Sequence, residues 1–151
     1  AVVWILLCQS AGAIGALTTQ TGSSTWYATL EKPWFNPPGW VFGPVWTLLY
    51  TMMGIAAWLV ARRGFETPGV KTGIVLFLVQ LVLNAAWSPI FFGAERIDLA
   101  LAVIGAMWAV IVGTIVAFAK VDKTAALLLV PYLLWVTFAT VLNATLLNLN
   151  G

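Results

Sequence analysis

The chain contains no histidine, a single cysteine and few charged residues. Without histidine it lacks the commonest protein ligand of haem iron and of metal ions, and it cannot form a Ser–His–Asp triad. The lone Cys8 excludes an intrachain disulfide and a CxxC redox motif. The sequence therefore predicts no metal site and no required cofactor.

The scarcity of charge also determines the class of protein. Charged residues make up 8% of the chain and hydrophobic residues 62%, and a soluble domain of this size needs more charge to cover its surface. The charged residues fall into groups that separate five uncharged stretches: 1–30, 33–61, 72–94, 99–119 and 124–151. Each stretch accommodates the roughly 20 apolar residues that a helix needs to cross a bilayer. We therefore expect an integral, multi-pass membrane protein, with no indication of which membrane holds it.

The predicted fold is an all-α membrane protein, with residues 1–151 as a single domain. It is one bundle of five transmembrane helices with a long aromatic and proline-rich loop between helices 1 and 2. In that loop Pro33, Pro37 and Pro38 forbid regular helix, so we expect a stiff aromatic lid. The expected helices cover residues 2–19, 40 or 44 to 61, 72–92, 99–119 and 124 to about 148.

The distribution of basic residues indicates the orientation of this bundle. The loops after helices 2 and 4 hold five basic residues, whereas those after helices 1 and 3 hold two, Lys32 and Arg96. By the positive-inside tendency, the N-terminus faces the cytoplasm and the lid faces the opposite side. Because the basic residues lie at membrane borders, we predict no nucleic-acid site.

Three of the expected helices carry a stripe that mixes aromatic and polar residues, since spacings of three and four place side chains on one helix face. Polar side chains avoid lipid, so the three faces are expected to converge on a pocket under the lid. Pro89 and Pro131 are expected to bend helices 3 and 5 and open that pocket. The stripes are Trp46, Tyr50, Met53 and Ala57; Gln80, Asn84, Trp87 and Ser88; and Tyr132, Trp135, Ala139 and Asn143.

Simpler explanations compete with a pocket. Polar residues within a span also join helices by hydrogen bonds without any ligand. Tryptophan concentrates at membrane interfaces, which is the expected role of Trp4, Trp58 and Trp108. Trp46 and Trp135 fit that explanation less well, because they lie inside spans on faces shared with polar groups.

Several segments resemble the TspO/MBR family, which comprises the tryptophan-rich sensory proteins of bacteria and the mitochondrial translocator protein, or peripheral benzodiazepine receptor. They are WYATLEKPWFNPP, followed by Trp46 in GPVW, then LNAAWSPIFFG in helix 3 and VPYLLWVTFATVLN in helix 5. The chain resembles a bacterial-type member of this family over nearly its whole length. It implies a five-helix bundle, commonly a homodimer, with a pocket closed by the first loop.

The resemblance further implies a tetrapyrrole ligand such as protoporphyrin IX, with haem as an alternative, and a part in porphyrin transport, sequestration or sensing. Any haem would be held by stacking and hydrogen bonds, because the chain has no histidine. The stripes and the resemblance together give the expected ligand-binding residues: Tyr27, Pro38, Trp46, Tyr50, Asn84, Trp87, Ser88, Tyr132, Trp135 and Ala139.

The expected partners are thus a tetrapyrrole or another planar apolar molecule, membrane lipid and a second copy of the chain. For cholesterol the sequence gives no support at the site where the family's motif would lie. The family's cholesterol motif combines Leu or Val with Tyr and a basic residue near the end of helix 5, and residues 141–151 contain neither Tyr nor a basic residue.

Two other functions stay open. One is the light- and oxygen-dependent breakdown of porphyrin, which in the family has been tied to two pocket tryptophans. Trp46 and Trp135 resemble these two tryptophans and would then be the catalytic residues. The other is a structural or regulatory partner protein with a lipid-filled cavity. This function needs close helix packing, either inside one bundle or between proteins. Such packing is permitted by small residues in helix 1 and by Gly105, Ala109 and Gly113 in helix 4.

Overall fold

The computed structural model describes residues 2–18, 30, 32 and 39–150. These residues form α1 (Val2–Thr18), α2 (Gly39–Ala61), α3 (Val70–Ser88), α4 (Ile97–Ala119) and α5 (Lys123–Asn150), with a π-helical turn (Pro89–Gly93) after α3. Helices α2 to α5 are long and apolar enough to cross a membrane, and α1 is a shorter apolar helix. The predicted all-α, multi-pass membrane fold is confirmed, and the described part of the chain contains no strand.

The end of α3 departs from the predicted boundaries. The pattern predicts an α-helix to residue 92, but α3 ends at Ser88. Pro89 has no N–H for the preceding turn, and the backbone then forms a wider bond in which the Ala94 N–H donates to the Pro89 carbonyl at 2.9 Å. Pro131, in contrast, lies within an uninterrupted α5.

The helices form a closed ring in the order α1, α2, α5, α4 and α3, which returns to α1. Their inner faces share a core that includes Met53, Phe77, Ile111 and Tyr132, each at most 1% exposed. A second apolar cluster lies where α3 ends and α4 begins, and Leu30 of the first loop packs against it. The described helices therefore form one bundle, and a single domain over residues 1–151 stays a prediction.

Glycines bring α1 and α2 into close contact. A Cβ at Gly54 would lie 2.5 Å from the Cα of Ile5, and a Cβ at Gly12 would lie 2.5 Å from the Tyr50 ring. At Gly105 of α4, however, the same test finds open space, and Ala109 is exposed as well. Small residues thus serve packing inside the bundle on α1 and α2, whereas Gly105 and Ala109 face outward.

The two ends of the bundle differ in charge. The end formed by the α2–α3 and α4–α5 loops holds Arg62 and Arg63, whose guanidinium groups lie 4.0 and 3.5 Å from the Asp122 carboxylate. At the opposite end, Arg96 donates two hydrogen bonds of 2.9 Å to Asp98. The loops with more basic residues therefore lie at one end of the bundle and those with fewer at the other. The side of the membrane that each end faces stays a prediction.

Candidate ligand-binding site

Trp46 of α2 and Trp135 of α5 meet at the centre of the candidate site. Their ring centroids lie 6.3 Å apart and their planes are perpendicular. Trp46 also stacks on Tyr50, at 5.5 Å and 26°, and meets the edge of the Tyr132 ring at 6.3 Å. Both indoles are only partly buried. We call the pair Trp46 and Trp135 the aromatic corner.

A chain of hydrogen bonds among buried side chains lies beside this corner. The Tyr50 hydroxyl donates to Asn84 Oδ1 at 2.5 Å, Asn84 Nδ2 donates to the Tyr132 oxygen at 2.8 Å, and the Tyr132 hydroxyl donates to Gln80 Oε1 at 2.6 Å. These four side chains, which we call the polar floor, are each 6% exposed or less. They join α2, α3 and α5 across the inside of the bundle.

The floor satisfies polar groups that would otherwise be costly inside a membrane. Gln80 Nε2 also lies 3.9 Å from the sulfur of Met53, a weak acceptor. Hydrogen bonds between transmembrane helices contribute about 0.6 kcal/mol each on average and up to about 2 kcal/mol. Gln80, Asn84 and both tyrosines therefore join helices by hydrogen bonds, which is the role that competes with ligand binding. Tyr50 nevertheless supports a face of Trp46, so the floor also fixes the shape of the corner.

Trp87 lies in a neighbouring arrangement on α3. Its ring stacks on Phe91 at 5.0 Å and 27°, and its indole N–H donates to Asn143 Oδ1 at 3.0 Å. Asn143 in turn donates to the Ile97 carbonyl at 3.0 Å, which ties α5 to the start of α4. Trp87 packs against both apolar clusters and so connects them on α3.

The structure brings together many of the predicted site residues. Trp46 and Trp135 form the corner, Tyr50, Asn84 and Tyr132 belong to the floor, and Ala139 packs against the main core one turn beyond Trp135. Ser88 is the last residue of α3, and its side chain lies outside the description. Tyr27 and Pro38, with the rest of the expected lid apart from residues 30 and 32, lie outside the described residues.

Sequence reasoning missed two contributors to this region. Gln80 was on the α3 stripe but was not among the predicted site residues, although it ends the hydrogen-bond chain. Phe138 contacts the Trp135 ring at 5.5 Å, and its spacing of three residues from Trp135 was the available signal.

The tryptophans expected at membrane interfaces behave in different ways. Arg62 lies 4.9 Å over the Trp58 ring at the basic end of the bundle, as an interfacial position would allow. Trp108, however, lies near the middle of α4, so its predicted interfacial position is wrong. It is 40% exposed, and its N–H donates to the Thr137 hydroxyl of α5 at 2.8 Å, which satisfies the indole within the span.

An apolar groove of about 370 Å³ lies on the outer face of α3, away from the corner. It is lined by Val75, Leu78, Val79, Val82 and Leu83. Most of these side chains are well exposed in the isolated chain. In a bilayer such a surface contacts lipid acyl chains, so the groove belongs to the membrane-facing surface.

Comparisons with known proteins match this chain to one family. The TspO/MBR family model matches residues 4–149. The Tryptophan-rich protein TspO of Chlorobaculum tepidum is 49% identical over 144 residues, which cover 95% of this chain and 91% of that protein. The Tryptophan-rich sensory protein of Cereibacter sphaeroides is 42% identical, with 97% and 92% covered. The human Translocator protein is 45% identical over 119 residues, with 78% and 70% covered.

Proposed function

Because the chain belongs to the TspO/MBR family of membrane proteins, we propose that it binds tetrapyrroles such as protoporphyrin IX at the aromatic corner, in porphyrin transport, sequestration or sensing. The observation that carries the proposal is the perpendicular contact of Trp46 and Trp135 between α2 and α5. Both indoles are only partly buried, so a flat apolar ring could pack against them by stacking or by edge contact. The relatives' names, which include "sensory" and "translocator", fit a protein that recognises or moves a ligand.

The expected affinity follows from stacking and apolar burial. Stacking of a flat ring on an aromatic side chain contributes roughly 1 to 3 kcal/mol in nucleic-acid complexes. Two or three such contacts with apolar burial reach about −8 kcal/mol, which corresponds to a micromolar dissociation constant. Without histidine the chain lacks the commonest protein ligand of haem iron, so we expect iron to add little to this interaction. Protoporphyrin IX and haem should therefore bind with similar affinity.

Titration of the purified protein in nanodiscs tests this proposal, with porphyrin absorbance as the readout. We expect saturable binding of protoporphyrin IX, and affinity about tenfold or more lower for Trp46→Ala. Trp108→Ala is the matched control, because it removes an indole from the outer face of α4. Equal losses in the two variants, or no saturable binding by the unmodified protein, would contradict the proposal.

A second candidate function is light- and oxygen-dependent degradation of the bound porphyrin. It is favoured by the contact between the two indoles, because indole is oxidisable and can quench an excited ring at contact. Trp46→Phe and Trp135→Phe should each abolish the loss of porphyrin absorbance under light, while binding is largely retained. Decay rates that match those of the unmodified protein in both variants would exclude a mechanism that depends on these tryptophans.

The homodimer implied by the family resemblance stays part of this proposal. The exposed small residues on α4, Gly105 and Ala109, would allow a second helix to approach closely. Crosslinking in native membranes, with a monomeric product as the contradicting result, tests it.

A further inference from the structure

At the basic end of the bundle, Arg62 and Arg63 share one carboxylate, and we propose that they bind the headgroup phosphate of an anionic phospholipid. Both guanidinium groups approach the same oxygen, Oδ2 of Asp122, at 4.0 and 3.5 Å. Both side chains are about half exposed, at 48% and 49%, so a ligand can reach them from outside the bundle. The proposal is independent of the aromatic corner.

Asp122 cannot neutralise both arginines. Its other oxygen, Oδ1, accepts the N–H groups of Thr124 and Ala125 at 2.9 and 3.2 Å and thereby caps the start of α5. Its side chain is only 9% exposed, so the fold holds it in place. One fixed negative charge therefore faces two guanidinium groups, and a second anion would complete the arrangement.

The opposite end provides a contrast within the same molecule. There Arg96 has Asp98 to itself, through two hydrogen bonds of 2.9 Å to the two carboxylate oxygens. That arginine is matched one to one. The local excess of positive charge is thus specific to Arg62 and Arg63 rather than common to the arginines at both membrane borders.

Trp58 places the two arginines at the depth of the lipid headgroups. The guanidinium carbon of Arg62 lies 4.9 Å over the Trp58 ring, one turn earlier on α2. Tryptophan is enriched at the boundary between acyl chains and headgroups, and the planar guanidinium group matches two phosphate oxygens at once. A ligand at this position has its phosphate on the arginines and its acyl chains on the apolar outer surface.

The remaining charges at this end favour an anionic lipid over a zwitterionic one. The end carries five basic residues and two acidic ones, a formal excess of three positive charges. Lys71, Lys120 and Lys123 are all exposed there. They attract an anionic headgroup and repel the ammonium group of a choline headgroup.

Native mass spectrometry of the full chain tests the inference, with phosphatidylglycerol and phosphatidylcholine of identical acyl chains as probes. We expect the unmodified protein to prefer phosphatidylglycerol by about tenfold, and R62Q/R63Q to lose that preference. R96Q is the matched control, since it removes one arginine charge at the opposite end, and it should keep the full preference. An unchanged preference in R62Q/R63Q overturns the proposal, as does its loss in R96Q.

Two further measurements keep the test decisive. If R62Q/R63Q does not fold, R62Q alone removes the longer contact and leaves the 3.5 Å pair of Arg63 with Asp122 intact. It should weaken phosphatidylglycerol binding about threefold to fivefold, since one basic residue near the surface contributes about 1 kcal/mol. No weakening would overturn the proposal. Displacement of the lipid by millimolar inorganic phosphate would also overturn it, in favour of a site for a soluble anion.

Discussion

The aromatic corner and the polar floor are neighbours in one bundle, yet different forces hold them. The floor consists of side chains that are 6% exposed or less and are joined by hydrogen bonds from α2 through α3 to α5. The corner consists of two partly buried indoles that meet through their rings. An aromatic pair is worth about 0.5 to 1.5 kcal/mol beyond its buried area, so the corner can admit another ring at modest cost. The difference suggests that the floor supports stability and the corner supports binding.

The largest effect on stability is expected when the centre of the floor is removed. Asn84→Leu has a similar volume but loses the bonds to both Tyr50 and Tyr132 and leaves their hydroxyl groups short of a partner. The free energy of unfolding, measured by steric trapping in bicelles, should fall by about 2 to 3 kcal/mol.

Ser10→Ala is the control for this substitution. The Ser10 hydroxyl is exposed and donates to the Leu6 carbonyl of its own helix, so its loss should change stability by less than about 0.5 kcal/mol. Equal losses for Asn84→Leu and Ser10→Ala would mean that the floor contributes nothing particular to stability.

A second way to disturb the floor acts through packing from α1. A Cβ at Gly12 would lie 2.5 Å from the Tyr50 ring, so Gly12→Ala must displace the ring that bonds Asn84 and stacks on Trp46. Overpacking of this kind costs about 1 to 3 kcal/mol. We expect stability to fall by that amount and porphyrin affinity to fall with it, because both regions depend on Tyr50.

The matched control is Gly113→Ala, the same change at a position where the added Cβ would lie 3.7 Å from the nearest atom, on Leu76, an ordinary van der Waals distance. There the methyl group displaces no neighbour, and the higher helix propensity of alanine should leave stability unchanged or raise it by up to about 1 kcal/mol. A loss of stability in Gly113→Ala similar to that in Gly12→Ala would refute the packing argument.

The two floor tyrosines differ in their number of bonds and so allow a graded test. The Tyr132 oxygen accepts from Asn84 and its hydroxyl donates to Gln80, whereas the Tyr50 hydroxyl donates to Asn84. Tyr132→Phe should therefore destabilise the protein about twice as much as Tyr50→Phe, roughly 1.2 against 0.6 kcal/mol. Thermal unfolding in detergent should rank them in that order. The reverse order would show that the bonds do not carry the difference.

Much of this arrangement was predictable from the sequence, for identifiable reasons. The charged groups lie at the borders of the apolar stretches, so they marked the helices. Helical spacing then placed Tyr50, Asn84 and Tyr132 on faces that avoid lipid. What spacing cannot give is the rotation of one helix relative to the next, and that rotation decides whether Asn84 bonds two tyrosines or faces a ligand.

The errors have similar physical causes. The pattern predicted an unbroken helix through Pro89, because the apolar run continues, but the missing N–H of proline changes the hydrogen bonding there. Trp108 was expected at an interface by residue type alone, although its place near the middle of α4 and its bond to Thr137 put it inside the span. The close approach of Gly54 to the backbone of Ile5 could not be predicted from the sequence, because it depends on how two helices pack.

The smallest effect on porphyrin affinity is expected at Trp87, which lies on α3 outside the aromatic corner. Trp87→Phe keeps a ring that can stack on Phe91 but removes the N–H donor to Asn143. Asn143 still donates to the Ile97 carbonyl, so α5 stays tied to α4 and stability should fall by only about 0.6 kcal/mol. Porphyrin affinity, measured by absorbance titration, should change by less than about threefold, because an aromatic ring stacked on Phe91 remains at this position. A loss as large as that of Trp46→Ala would extend the binding surface from the corner to Trp87 and remove the distinction between the two regions.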